Sequence, residues 1–180
     1  MKMPENATLV VSTTNRPNAL STTVATYCKG LLTAMGVVTE QLNLTELPAD
    51  FTVEALYAKK GSHQGFNKLG AKMDAFSKYL FVVPQYNGSF PGVFKAFIDG
   101  YANPNIFKGK KAALVGVSKG FQGGIMGLSH LTDILMYLGM TVYPMQPKLS
   151  NMPDTTLATL EAHPHYLALL KEQAVGFSAF

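Results

Sequence analysis

Three short stretches of this chain concentrate side chains able to bind or transform a ligand: "STTNRPNALST" from Ser12, "PQYNGSFPG" from Pro84 and "VGVSKGFQGG" from Val115. The first offers hydroxyls at Ser12, Thr13, Thr14, Ser21 and Thr22, amides at Asn15 and Asn18, and Arg16, the only arginine in the chain. If a helix begins there, its unpaired N–H groups and partial positive charge make a seat for a phosphate, and a guanidinium adds paired charge-assisted bonds. Neither G-x-x-x-x-G-K-[ST] nor G-x-G-x-x-G is present, so a terminal phosphomonoester fits better than a triphosphate. The plainer reading is that these residues cap the helix and solvate a turn.

"PQYNGSFPG" holds more turn-forming residues, at Pro84, Asn87, Gly88, Pro91 and Gly92, than a simple connection requires. Such a loop aims backbone groups at whatever lies above it, and Tyr86 and Phe90 add aromatic walls suited to a planar heterocycle. In the third stretch, Gly116, Ser118 and Gly120 spell G-x-S-x-G, the nucleophile elbow of serine hydrolases, while Gly123 and Gly124 suit close approach of a ligand to the backbone. A hydrolase also needs a carboxylate and then a histidine, for which Asp133 or Asp154 with His163 or His165 have the right order. His130 and Asp133 fall inside a helical pattern, however, and His163 flanks Pro164. That reading also leaves the other two loops without a purpose.

The surrounding pattern explains how these loops could meet. Apolar β-branched runs at Ala7–Val11, Val37–Leu44, Tyr79–Pro84, Ala112–Val117 and Thr141–Met145 read as strands. Between them, helical spacing recurs in Leu20, Val24, Cys28, Leu31 and Met35, in Phe66, Leu69, Met73 and Phe76, in Val93, Phe94, Phe97 and Ile98 after Pro91, and in Leu128, Leu131, Leu135 and Leu138. "TELPADF" reads as a loop, "AKKGSH" as a solvated stretch, and a C-terminal helical stretch spans about residues 154–177, broken or restarted at Pro164. Strands alternating with helices imply a parallel sheet with right-handed crossovers, hence a three-layer α/β domain. In such sheets ligands bind beyond the carboxyl ends of the strands, where all three loops fall.

At 180 residues and 47% hydrophobic composition, one domain over residues 1–180 is expected. No apolar run is long enough to span a bilayer, which predicts a cytoplasmic protein without membrane association. The net charge of +4 suits an anionic ligand, but the lysines are scattered rather than striped, which argues against nucleic acid. The single cysteine, Cys28, excludes a disulfide framework, and His163 and His165 have no cysteine or carboxylate at metal-ligand spacing, which argues against a metal site. A receiver-type signalling domain is excluded because no acidic pair follows the first strand and the third ends in Pro84-Gln85.

"PQYNGSFPGVFKAFID" resembles the P-E-Y-N-G-S-x-P-G-x-x-K-x-x-x-D signature of the NAD(P)H-dependent FMN reductases, with Lys95 and Asp99 in register. "STTNRPNALST" is similar to that family's phosphate loop, S-G-[ST]-x-R-x-x-S-x-[ST], and "SKGFQGG" to its S-x-G-x-x-G-G stretch; the resemblance covers roughly Ala7 to Pro144. It implies a flavodoxin-like fold with a five-stranded parallel sheet in the order 2-1-3-4-5. It also implies that Ser12, Thr14, Arg16 and Ser21 hold the FMN phosphate, that Pro84, Gln85, Tyr86, Asn87 and Gly88 line the isoalloxazine ring, and that Ser118, Gly120 and Gly123 approach its other edge. The implied activity is hydride transfer from NADPH or NADH to flavin N5, then electron transfer to a small acceptor such as free flavin, a quinone or an azo dye. The flavin carries that chemistry, so no catalytic acid, base or nucleophile is assigned.

Four positions depart from the family pattern: Thr13 stands for glycine, Ala19 and Leu20 for polar residues, and Gln85 for glutamate. A flavin-binding electron carrier or redox sensor is the alternative, but flavodoxin-type carriers are usually acidic and this chain is basic. The resemblance also implies an oligomer. The aromatic load of Phe90, Phe94, Phe97, Ile98 and Tyr101 predicts surplus apolar surface and thus a homodimer or homotetramer.

Overall fold

The structure, a computed structural model, describes residues 2–101, 103–152 and 156–180. Strands β1 (Thr8–Ser12), β2 (Thr39–Asn43), β3 (Lys78–Pro84), β4 (Lys111–Val117), β5 (Thr141–Val142) and β6 (Lys148–Leu149) form one sheet. The helices are α1 (Leu20–Ala34), α2 (Phe51–Glu54), α3 (Gln64–Ala75), α4 (Gly92–Tyr101), α5 (Ile125–Tyr137), α6 (Leu157–Glu161) and α7 (Pro164–Ala179). Asp154, at which the C-terminal helical stretch was expected to begin and which was one candidate hydrolase acid, lies outside the described residues.

All pairings are parallel and the order is β2-β1-β3-β4-β5, with β6 also paired to β4. This is the doubly wound, flavodoxin-like arrangement. Because successive strand residues face opposite sides, Leu9, Val11, Tyr79, Phe81, Val83, Ala112 and Leu114 join one core, and Val10, Leu80, Val82, Ala113, Val115 and Val117 join the other. The first core is completed by α3, α4 and α5, the second by α1, α6 and α7.

The fifth strand differs from its expected span of Thr141–Met145. It pairs with Lys111 and Ala112, leaves the sheet, and returns as β6 beside Gly116 and Val117. Pro144 and Pro147 in the intervening segment have no N–H to give to a ladder. A side chain bridges the gap: buried Gln173 of α7 donates from Nε2 to the carbonyls of Leu114 and Met145, each at 2.8 Å. The detour matters for the site, because it delivers the segment after β6 to the carboxyl end of β4.

Two other expectations change. In α1 the buried stripe is Ser21, Val24, Ala25, Cys28 and Leu32, while Met35 stays 40% exposed, because four-residue steps outrun the 3.6-residue turn. The aromatic load around α4 leaves no surplus surface, since Phe90, Phe94, Phe97, Ile98 and Tyr101 are each at most 8% exposed. The expected loop "TELPADF" holds up to Asp50, beginning with a 3-10 turn over Leu44–Glu46, and its last residue, Phe51, opens α2 and stacks on Phe66, which stacks in turn on Tyr101 with centroids 4.5 Å apart. Aromatic surplus therefore gives no support for oligomerisation.

Cys28 is 1% exposed, and burial pushes its thiol up to about 12, opposed only in part by a backbone hydrogen bond. A thiol with a raised folded pKa stabilises the fold below its unfolded pKa and loses that contribution as pH rises toward the folded value. Since the thiolate is the nucleophile, iodoacetamide at about pH 8 is expected to leave the native protein unlabelled and to alkylate it fully in denaturant. Rapid stoichiometric labelling of the native protein would contradict this burial.

Candidate functional site

The first loop leaves β1 at its carboxyl end. Thr13 stays in register through its N–H to the Val82 carbonyl at 3.1 Å, and its hydroxyl donates to the same carbonyl at 3.0 Å. The threonine that replaces the family's glycine is thus buried against β3. Ser12 Oγ lies 3.4 Å from Ser21 Oγ and 3.1 Å from Thr22 Oγ1, tying the loop base to the first turn of α1. Asn18 takes the left-handed conformation, φ 53°, which short polar side chains tolerate, and turns the chain into the helix. Ala19 is the N-cap and supplies no side-chain bond. The Ala19 side chain thus adds no cap, the Thr22 N–H turns back to the Ala19 carbonyl at 2.9 Å, and the positive end of the helix dipole faces the cleft beside exposed Arg16.

The second loop begins as an extension of the sheet, with Gln85 N–H on the Val117 carbonyl at 3.0 Å. Tyr86 and Ser89 then exchange backbone bonds of 2.8 and 3.0 Å around Asn87 (φ 49°) and Gly88 (φ 80°). Positive φ at both central residues is the type I′ turn that Asn-Gly favours. The hairpin is held from behind by α5, where Ser89 Oγ lies 3.0 Å from His130 Nδ1. Gly127 permits this approach, as a Cβ there would stand 3.1 Å from the Phe90 nitrogen. Gln85 Oε1 is buried in the cleft wall without a partner among the described residues.

The third loop is built differently from its motif. Ser118 Oγ accepts the Gly120 N–H at 3.0 Å, His130 engages Ser89, and His163 and His165 pack on the Tyr166 ring. No catalytic triad forms around Ser118 among the described residues. Gly120 borders the cleft, but Gly123 (φ 60°) and Gly124 (φ 88°) pack against protein: added Cβ atoms would lie 2.8 Å from Lys148 Cβ and 3.2 Å from Gly116 Cα. Backbone contact within the protein, rather than room for a ring, accounts for those two glycines.

These loops converge on one cleft of about 270 Å³. Of the residues expected to line it, Arg16, Ser21, Pro84, Gln85, Tyr86, Ser118 and Gly120 do. Ser12, Thr14, Asn87, Gly88 and Gly123 are not part of its lining. Ala19, Leu20, Val117, Lys119 and Met152 complete the wall without having been assigned to it. Met152 arrives through the detour after β5: Asn151 N–H bonds the Gly120 carbonyl and Met152 N–H the Ser118 carbonyl, both at 3.1 Å. Only the return of a strand beside β4 could have revealed it, and "KLSNM" is too short for its periodicity to show that.

The cleft wall carries Arg16 and the N-terminus of α1 together with the unpartnered Gln85 carbonyl. Those groups fit a ligand that has both an anionic group and a ring N–H, as FMN has. Comparison with known proteins agrees. A 2-hydroxy-1,4-benzoquinone reductase of a Burkholderia species is 37% identical over 73 residues, covering 39% of each chain. An NAD(P)H-dependent FMN reductase of Pseudomonas aeruginosa is 31% identical over 134 residues, covering 71% of this chain and 68% of its own. The first alignment thus spans well under two thirds of that relative's length. Among solved structures, the apo form of an NADH:FMN oxidoreductase superposes with a TM-score of 0.75 at 13% identity, covering 96% of this chain and 88% of the other. The model of the NADPH-dependent FMN reductases matches residues 7–154, a span that includes all three loops, and the chain belongs to that family.

Proposed function

We propose that this protein is an NAD(P)H-dependent FMN oxidoreductase that passes electrons to a small acceptor such as a quinone, free flavin or an azo dye. The observation that carries this reading is the single cleft at the carboxyl ends of β1, β3 and β4, where the N-terminus of α1, Arg16 and the Asn-Gly hairpin meet. It lies where the chain order reverses between β1 and β3, the switch point at which doubly wound sheets bind ligands.

In this reading Arg16, Ser21 and the first-turn N–H groups of α1 hold the phosphate, with Ser12 and Thr14 fixing the loop. Pro84, Gln85 and Tyr86 border the ring on one side and Ser118 and Gly120 on the other, while Asn87 and Gly88 set the hairpin and Gly123 seats its loop on β6. Bound FMN supplies the redox chemistry, taking electrons from the nicotinamide and releasing them to the acceptor. The protein's part is placement: Gln85 Oε1 can accept from a ring N–H, and apolar Leu20, Val117 and Met152 reduce the water around it. Ala19 and Leu20 bear on this too, since neither side chain carries a hydroxyl or amide to compete with the anion at the start of α1. The net charge of +4 favours an anionic dinucleotide over the basic partners of an acidic carrier.

We further propose a cytoplasmic homodimer or homotetramer, by analogy with the family. No helix among the described residues is long and apolar enough to cross a membrane. Turnover tests the enzymatic reading. With FMN present, purified protein is expected to oxidise NADPH or NADH continuously when a benzoquinone is supplied. Flavin reduction by a protein donor, but not by either nicotinamide, would favour the carrier.

A further inference from the structure

The wall of the cleft that carries Ser118, Gly120 and Met152 is held from outside the sheet. β6 is two residues long, and its pairing with β4 ends where the Ser118 N–H meets the Leu149 carbonyl at 2.9 Å. Asn151 then takes the left-handed conformation, φ 51°, and the Asn151 and Met152 N–H groups turn back onto the Gly120 and Ser118 carbonyls. So short a strand is a slight base for that turn, and the fixing of Ser150, between strand and turn, decides where the wall stands.

Ser150 is fixed by one side chain of α7. The Tyr166 hydroxyl donates to the Ser150 carbonyl at 3.0 Å, accepts the Ser150 N–H at 3.1 Å and lies 2.9 Å from Ser150 Oγ. A hydroxyl has one proton and two acceptor sites, so with its proton on the carbonyl the Tyr166 oxygen also takes the Ser150 hydroxyl proton, and every bond it can make is spent on this residue. The His163 and His165 rings flank the phenol, and Leu170, Ala174 and Phe177 anchor α7 in the second core. About two turns further along the helix, Gln173 holds the Met145 carbonyl, so α7 clamps the chain both before and after β6. The helix lies beyond the residues 7–154 that the family model matches, and Tyr166 does not line the cleft.

We infer that Tyr166 is a positioning residue of the flavin site: through Ser150 it holds Met152 and the Ser118–Gly120 loop as the wall against which the flavin ring rests. This deepens the proposed flavin-binding function and rests on it. The C-terminal helix thereby shapes a site that this tyrosine does not touch.

Tyr166→Phe in the full chain keeps the half-buried ring and removes only the oxygen. Fluorescence titrations are expected to show FMN and riboflavin weakened alike, about three- to tenfold, because the two flavins share the ring and differ in the phosphate. Amide hydrogen exchange of the apo variant, followed by NMR, is expected to be faster at Asn151 and Met152 and unchanged in β1 and β3. Ser150→Ala leaves both backbone bonds to Tyr166 in place and is expected to weaken both flavins less, and thermal unfolding checks that the two variants fold. Unchanged flavin affinities in Tyr166→Phe, weakening of FMN alone, or unchanged exchange at Asn151 and Met152 overturns the inference while leaving the proposed function intact. A lowered melting temperature with both affinities unchanged would assign Tyr166 to the fold alone. Wild-type protein that binds neither flavin contradicts the proposed function itself, and the inference falls with it.

Discussion

Arg16→Ala is expected to weaken FMN binding by about 10- to 100-fold, the loss that follows removal of a charge-assisted contact worth ~1.5–3 kcal/mol. Arg16 is exposed at the mouth of the cleft, and its guanidinium packs in neither core. The melting temperature of the apo protein should therefore stay where it is. Riboflavin, which has no phosphate, should bind the variant and the wild type alike. Arg16→Lys is expected to recover only part of the affinity, since an ammonium restores the charge without the planar fork. Fluorescence titration of both flavins measures these effects, and an unchanged FMN affinity in Arg16→Ala would remove the phosphate from this loop.

Gly116→Ala is expected to act in the opposite way, through the fold. A Cβ at Gly116 would stand 2.3 Å from the Gly123 carbonyl oxygen and 3.0 Å from Leu128 Cδ1. The carbonyl cannot retreat easily, because the turn carrying Gly123 and Gly124 is itself backed by Lys148 of β6. Overpacking of this kind costs about 3 kcal/mol. For a chain of this length that lowers the melting temperature by roughly 6–12 °C. FMN affinity should fall as well, because the displaced turn continues directly from Ser118 and Gly120. A variant that melts with the wild type would mean that this junction has slack that the packing does not show.

The contrast between these two residues also explains what could be read from the chain. Val10, Leu80, Val82, Ala113 and Val115 lie in parallel strands covered on both faces, so their runs are apolar without alternation and were legible as strands. That Arg16, Ser21, Gln85, Tyr86, Ser118 and Gly120 line one cleft was legible because three polar, turn-rich stretches follow three such strands. Gly123 carried no such information. A glycine that faces a ligand and a glycine that faces Lys148 are identical in sequence, and only packing separates them. Met152 was hidden for a related reason, since β6 is two residues long and its place beside Gly116 depends on contacts with β4 and on the gap filled by Gln173. The aromatic residues near α4 misled in the other direction. Their number suggested surplus surface, but Phe51 and Phe66, brought in by the α2 and α3 segment, cover them. Local pattern identifies an apolar face, whereas its cover comes from residues distant in sequence.

The most direct test of the proposed flavin site is to add FMN to the purified protein, remove excess, and then add NADPH without oxygen while following the visible spectrum. Retention of FMN by the wild type, bleaching of its absorbance by NADPH and recovery of colour on adding a quinone are the predicted results. Protein that retains no FMN, with Arg16→Ala indistinguishable from it, would contradict the account.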